Sequence, residues 1–177
     1  MKTVILSVLF LTTCLFPTVI ANDKVESVVH WVSMEYAVDM APLNSRKILV
    51  DVFTTWCAWC KIMEQKTYSN EQIINYINEK YYAVKLNAET KDSIRFQGKK
   101  FGPVPQARVN QLASLLLNGK YTYPTTVIMS KNSEVLSPVA GYMDVATMET
   151  VLKFYGEDIY LKQSWDEYKK TTEIEKK

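Results

Sequence analysis

The chain has 177 residues, 47 % of them hydrophobic, with 21 Lys+Arg against 19 Asp+Glu. The length suits one domain and the hydrophobic share excludes general disorder. A formal charge of +2 with no basic stripe argues against a nucleic-acid binder, five scattered glycines form no phosphate-cradling loop, and the single histidine, His30, excludes a two-histidine zinc motif.

In chain order, the first segment reads as a targeting signal. Lys2 precedes an apolar run at residues 4–11 (VILSVLFL), which Thr12, Thr13 and Pro17 cut short of a membrane span. Val19-Ile20-Ala21 fits a signal-peptidase site, so residues 1–21 are expected to be a secretory signal peptide cleaved after Ala21. An uncleaved anchor is one alternative. Another is a lipoprotein attached through Cys14, although Thr13 is a poor residue before a lipidated cysteine. Cleavage removes one lysine and one of three cysteines, leaving +1 and Cys57 and Cys60. The mature protein is expected in an oxidising compartment.

Residues 22–28 are polar enough for a flexible start, and 28–32 alternate weakly, as in a short strand. Ser33 suits the N-cap of a helix over 34–40, with Glu35 in its first turn. Residues 48–53 (ILVDVF) form a nearly continuous apolar, β-branched run, the pattern of a strand buried on both faces. Its one charge, Asp51, is anomalous. Helix follows at 61–65, and Ser69 or Asn70 suits the cap of another carrying Ile73, Ile74 and Ile77. Residues 82–86 read as strand, 87–102 as polar loop, and 106–117 as helix. A hairpin is expected from 126–129 and 134–136 around Lys131-Asn132-Ser133. Asp144 suits the cap of a helix bearing Val145, Met148, Val151, Leu152 and Tyr155. The charged end, 162–177, carries Trp165 and Tyr168 for packing. The alternation of strand and helix gives one α/β domain.

Cys57 and Cys60 stand two residues apart at a strand-to-helix junction. One helical turn holds such sulfurs close enough to bond, and a helix N-terminus stabilises a thiolate on the first. Cys57 is then expected to be the exposed nucleophile that attacks a substrate disulfide, and Cys60, further inward, to resolve the mixed disulfide. Half of a zinc site lacks its second CxxC, and haem attachment needs histidine where Lys61 stands. An inert structural disulfide remains open, although so short a loop constrains little chain.

The segment ILVDVFTTWCAWCK resembles the active-site strand and helix start of the thioredoxin superfamily. It has an Asp six residues before the first cysteine, Trp immediately before it and Lys after the second. YYAVKLN at 81–87 resembles the next strand. Tyr123-Pro124-Thr125-Thr126 resembles the cis-proline segment, and Val139-Ala140-Gly141 the glycine region beyond it. The resemblance spans about residues 29–160, leaving 161–177 as a charged helix or tail, and is greatest to secreted bacterial proteins with a WCxWCK motif. It implies a thioredoxin-like fold, a central mixed sheet flanked by helices, with an inserted helix before the cis-proline strand. It also implies a periplasmic thiol–disulfide oxidoreductase acting on disulfide-containing proteins, with Asp51 as buried proton acceptor beneath Cys60 and Lys85 as its neighbour. Trp56, Ala58, Trp59, Tyr123, Pro124 and Gly141 would contact substrate. No cofactor beyond the Cys57–Cys60 disulfide, no metal and no nucleic acid is expected, and the protein should be a monomer.

The sequence departs from the superfamily at Ala58-Trp59, which replaces Gly-Pro or Pro-His between the cysteines. With no histidine to stabilise the Cys57 thiolate, a reductase or isomerase is expected rather than a primary oxidant, and a membrane Dsb-type reductase is the implied electron donor. The rival reading is a non-catalytic binding module or chaperone with a fixed disulfide. The 35 residues between Asn87 and Tyr123 exceed what thioredoxins need.

Overall fold

The computed structural model describes residues 27–104 and 106–175, so the expected signal peptide, Cys14 and most of the flexible start lie outside the described residues. Helix α1 (Met34–Leu43) begins as expected at Ser33, whose hydroxyl accepts the Tyr36 N–H at 3.2 Å. Strand β1 (Lys47–Phe53) leads into α2 (Ala58–Lys66), and α3 (Glu71–Lys80) starts at Asn70, whose side chain takes two backbone N–H groups. Strand β2 (Tyr81–Asn87) follows. β1 and β2 run parallel, a pairing that requires a crossover, and α2 and α3 supply it.

The expected strand at 28–32 is reduced to one bridge, Trp31 to Ala83. The ladder's role passes to the Asn78 side chain, which accepts the His30 N–H and donates to the Val28 carbonyl, both at 2.9 Å. Ser33 then starts α1 before a second pairing can form.

Residues 87–102 also differ from expectation. They contain a hairpin, β3 (Ile94–Phe96) with β4 (Lys99–Phe101), which turns at Gln97-Gly98 with both φ values positive, 48° and 75°. Phe96 is buried and meets Phe101 edge-on, so the hairpin is anchored by its own aromatic pair. A second small pair joins β5 (Pro103–Val104) to β6 (Val109–Asn110). The next helix, α4, spans Gln111–Leu116, starting five residues later than its apolar pattern suggests. Asn110 sets that start by capping Leu112 N–H at 2.9 Å.

Strands β7 (Thr125–Met129) and β8 (Val135–Ala140) form the expected hairpin, and α5 (Val145–Gly156) is capped by Asp144 at Thr147 N–H, 2.8 Å. A 3-10 turn (Ile159–Leu161) leads to α6 (Trp165–Glu175), where Trp165 and Tyr168 pack on Phe154. The main sheet has the order β2-β1-β7-β8, with β7 antiparallel to both neighbours.

Helices cover both faces of this sheet. The period-2 alternation of β1 sends Ile48, Val50 and Val52 into one core with residues of α1, the β3–β4 hairpin and α4. It sends Leu49 to the opposite core, among residues of α2, α3 and α5. Each such aliphatic side chain, fully buried, contributes about 1.5–3 kcal/mol. Asp51 shares the Leu49 face, so its carboxylate points into the layer that holds α2.

Candidate active site

Phe53 ends β1, and the chain turns through Thr54-Thr55-Trp56 to Cys57, which is itself the N-cap of α2. Its Sγ accepts the Cys60 N–H at 3.1 Å, the position a capping oxygen usually takes. The two cysteines are joined, with Cα atoms 5.3 Å apart. Cys57 is 5 % exposed and Cys60 8 %, so the expectation of an exposed Cys57 above an inward Cys60 is corrected: both sulfurs belong to buried residues.

Around the pair the surface is aromatic. Trp56 and Trp59 are 65 % and 58 % exposed. Trp56 meets Tyr123 edge-on at 5.9 Å, and Trp59 lies 5.4 Å from Tyr142. The Trp56 indole N–H donates to Glu89 at 3.1 Å, which fixes the ring over the end of β2. Ala58 is exposed between the two indoles. The Tyr123–Pro124 peptide is cis, and the Pro124 carbonyl accepts the Gly141 N–H at 2.8 Å. Gly141 has φ +98°, a backbone conformation that favours glycine. The next residues are tied to α2, because Met143 O accepts the Thr67 hydroxyl at 2.7 Å and Met143 N–H donates to Met63 Sδ.

Beneath the disulfide lies a cleft of about 240 Å³ lined by Asp51, Phe53, Thr54, Thr55, Cys60, Lys61, Glu64 and Lys85. Asp51 is 4 % exposed, and its Oδ1 has no hydrogen-bond partner among the described residues. Burial pushes its carboxyl up from 3.8 to about 7, with the Lys85 charge opposing and the Glu64 charge assisting. Lys85 is the cross-strand partner of Asp51 in the β1–β2 register, yet its Nζ pairs with Glu64 Oε1 at 2.5 Å. Its ammonium also sits over the Trp31 and Phe53 rings, at 5.1 and 5.5 Å. On the other side of β1, Thr126 faces Asp51 in register and lies 3.4 Å from the Tyr68 hydroxyl. Burial first, and then the Asp51 charge, hold that phenol well above its usual range.

The structure therefore brings Asp51, Cys57, Cys60 and Lys85 to one end of the sheet, with the Trp56, Ala58, Trp59, Tyr123, Pro124 and Gly141 segments around them. Sequence reasoning missed Glu64, Tyr68, Glu89 and Tyr142. Glu64 was findable, since it follows Cys60 by four residues and shares its helix face. Tyr142 had no local signal, as its position depends on how the β8–α5 connection returns to α2. Among the described residues no group of three His, Cys, Asp or Glu could hold a metal ion, and no helix is long and apolar enough to cross a membrane.

A CxxC disulfide at a helix N-terminus, with a cis-proline opening the strand beside β1 in a mixed four-stranded sheet, defines a thioredoxin-fold protein. The chain belongs to the DsbH-like thioredoxin family, described as "Protein of unknown function, DUF255", whose model matches residues 20–177. No curated protein matches it by sequence. Among solved structures it is similar to a thioredoxin-fold protein from Helicobacter pylori at 18 % identity and TM-score 0.59, covering 86 % of this chain and 91 % of that one. A DsbH oxidoreductase is similar at 14 % identity and TM-score 0.56, covering 85 % and 95 %. A thioredoxin from Thermus thermophilus is similar at 14 % identity and TM-score 0.53, covering 73 % and 88 %. At these identities the likeness is one of fold.

Proposed function

We propose that the protein is an exported, periplasmic thiol–disulfide oxidoreductase of reductase or isomerase type, acting on disulfide-containing proteins. The observation that carries this reading is the Cys57–Cys60 disulfide at the start of α2, beside a cleft that holds the buried Asp51 carboxylate, whose Oδ1 has no hydrogen bond. In the reduced protein Cys57 is the thiolate, stabilised by the Cys60 N–H and the positive end of α2. It attacks one sulfur of a client disulfide, forming a mixed disulfide and releasing the other client sulfur as a thiolate. Asp51 then accepts the Cys60 proton. The Cys60 thiolate attacks Cys57 Sγ, the Cys57–client bond breaks, and the client leaves as a thiolate that takes up a proton. Two electrons pass from the dithiol to the client, and a thiol-class donor, for which a membrane Dsb-type reductase is the candidate, restores Cys57 and Cys60.

Clients lie against the Tyr123 backbone as an extended segment, with Trp56, Trp59 and Tyr142 supplying apolar contact. Such a shallow aromatic surface suits unfolded or flexible chains. Family membership in the DsbH-like group supports export; cleavage after Ala21 and a reaction that needs no cofactor beyond the disulfide are part of the proposal.

A Cys60→Ser variant leaves Cys57 without its resolving thiol and should accumulate mixed disulfides with clients on non-reducing gels. Absence of such adducts, together with no turnover of a model disulfide by the parent, sinks the enzyme reading. The burial of both cysteines favours a second reading, a binding module with a fixed disulfide. That reading expects Cys57→Ser to leave client binding unchanged.

A further inference from the structure

Glu64 has no task in the disulfide exchange itself, yet its placement is specific. It stands one helical turn after Cys60 on α2, so both side chains face the same cleft. Its carboxylate, 57 % exposed, takes the Lys85 ammonium at 2.5 Å. Asp51 is the cross-strand neighbour of that lysine, and its Oδ1 is buried and without a hydrogen bond. Coulomb attraction grows as the dielectric falls, so the buried carboxylate should compete strongly for a cation within reach. The exposed carboxylate holds it instead.

We propose that Glu64 is a positioning residue: it draws Lys85 to the mouth of the cleft, so that Asp51 keeps the proton affinity it needs to take the Cys60 proton. The proposal rests on the oxidoreductase reading above and deepens it. A carboxylate paired directly with an ammonium is a weak base, because the neighbouring charge favours its ionised form. The groups facing Asp51 leave Lys85 as the decisive one. From α2 come Cys60, Glu64 and the cleft-lining Lys61, from β2 comes Lys85, and beyond Thr126 of β7 stands the neutral phenol of Tyr68. With the Lys85 ammonium paired to Glu64, burial outweighs its pull and the Asp51 carboxyl stands near 7. Proton transfer from Cys60 to Asp51 is then closer to balanced, and the same proton leaves to solvent through the open mouth where Glu64 and Lys85 sit.

The test is the titration of Asp51, followed by carbon-13 carboxyl NMR on the intact reduced protein, in four forms: parent, Glu64→Gln, Lys85→Met and the double variant. Glu64→Gln should move the Asp51 midpoint toward acid by about one pH unit as Lys85 turns to its neighbour. Lys85→Met should move it toward base. In the Lys85→Met background the Glu64→Gln shift should fall to less than half, or reverse. Equal shifts in both backgrounds would mean that Glu64 acts through its own charge alone, and no shift in either would mean that it acts on nothing here. Both results overturn the proposal. The titration needs no turnover, so a parent that traps no client defeats the oxidoreductase reading without obscuring this result. Where the parent does turn over, the pH profile for resolution of the mixed disulfide should move with the Asp51 midpoint.

Discussion

Asp51 is the residue on which the chemistry and the stability both turn. A carboxyl at about 7 in the fold and 3.8 in the unfolded chain means that the native state binds the proton more tightly. Stability should therefore be greatest below pH 4 as far as this group is concerned, and should fall as pH rises through 7. At about 1.4 kcal/mol per pH unit, the loss approaches about 4 kcal/mol above pH 8. Asp51→Asn removes that slope, so denaturant titrations should show the variant gaining on the parent steadily between pH 4 and 8. The same variant cannot accept the Cys60 proton, and resolution of the mixed disulfide should slow by about 100-fold. A variant with the parent's pH slope, or the parent's resolution rate, contradicts this role. The anomaly of a charge inside ILVDVF was legible in the sequence, because a strand buried on both faces has no solvent for it. The partner of Lys85 was not, since the family resemblance implied Asp51 as its neighbour and the pairing with Glu64 appears only once α2 is folded back toward the sheet.

At the scale of elements, caps and turns separated what could be read from what could not. Ser33 and Asp144 each precede an apolar-periodic run, and both cap the helices expected of them. The 87–122 segment was harder, because its pieces are short and each is held by a partner distant in sequence. Gln97-Gly98 closes a hairpin that the surrounding lysines disguise as loop, and Asn110 anchors the start of α4. That asparagine is fully buried: its Oδ1 caps α4, its Nδ2 donates to the Asp92 carbonyl at 3.1 Å, and its backbone N–H reaches Ala88 O at 2.7 Å. Asn110→Ala would remove the cap, leaving the Leu112 N–H unpaired, and would free the Asp92 carbonyl. It should cost about 2–3 kcal/mol and lower the melting temperature by about 5–10 °C, with disulfide exchange retained. A melting temperature within a degree of the parent's would show that the inserted segment is not tied to the fold through this residue.

For the whole molecule, the order β2-β1-β7-β8 brings four chain segments to the disulfide from distant parts of the sequence: the end of β1, the end of β2, the cis-proline before β7 and Gly141 after β8. The CxxC and its strand were visible in one continuous stretch, and so was the α/β alternation. The burial of Cys57 was not visible, because exposure is a property of the folded surface, and an exposed Cys57 was expected where a buried one is found. The proposed reducing or isomerising role rests on the absence of a histidine beside Cys57, because further stabilisation of its thiolate would make the pair more oxidising. The most direct measurement is the equilibrium reduction potential of Cys57–Cys60 against a glutathione or dithiothreitol buffer. The expected value lies between about −180 and −280 mV, the range spanned by disulfide isomerases and thioredoxins. A value near −120 mV would make the protein a primary oxidant, and one below about −300 mV would make the bond a structural fixture; either contradicts the proposed function.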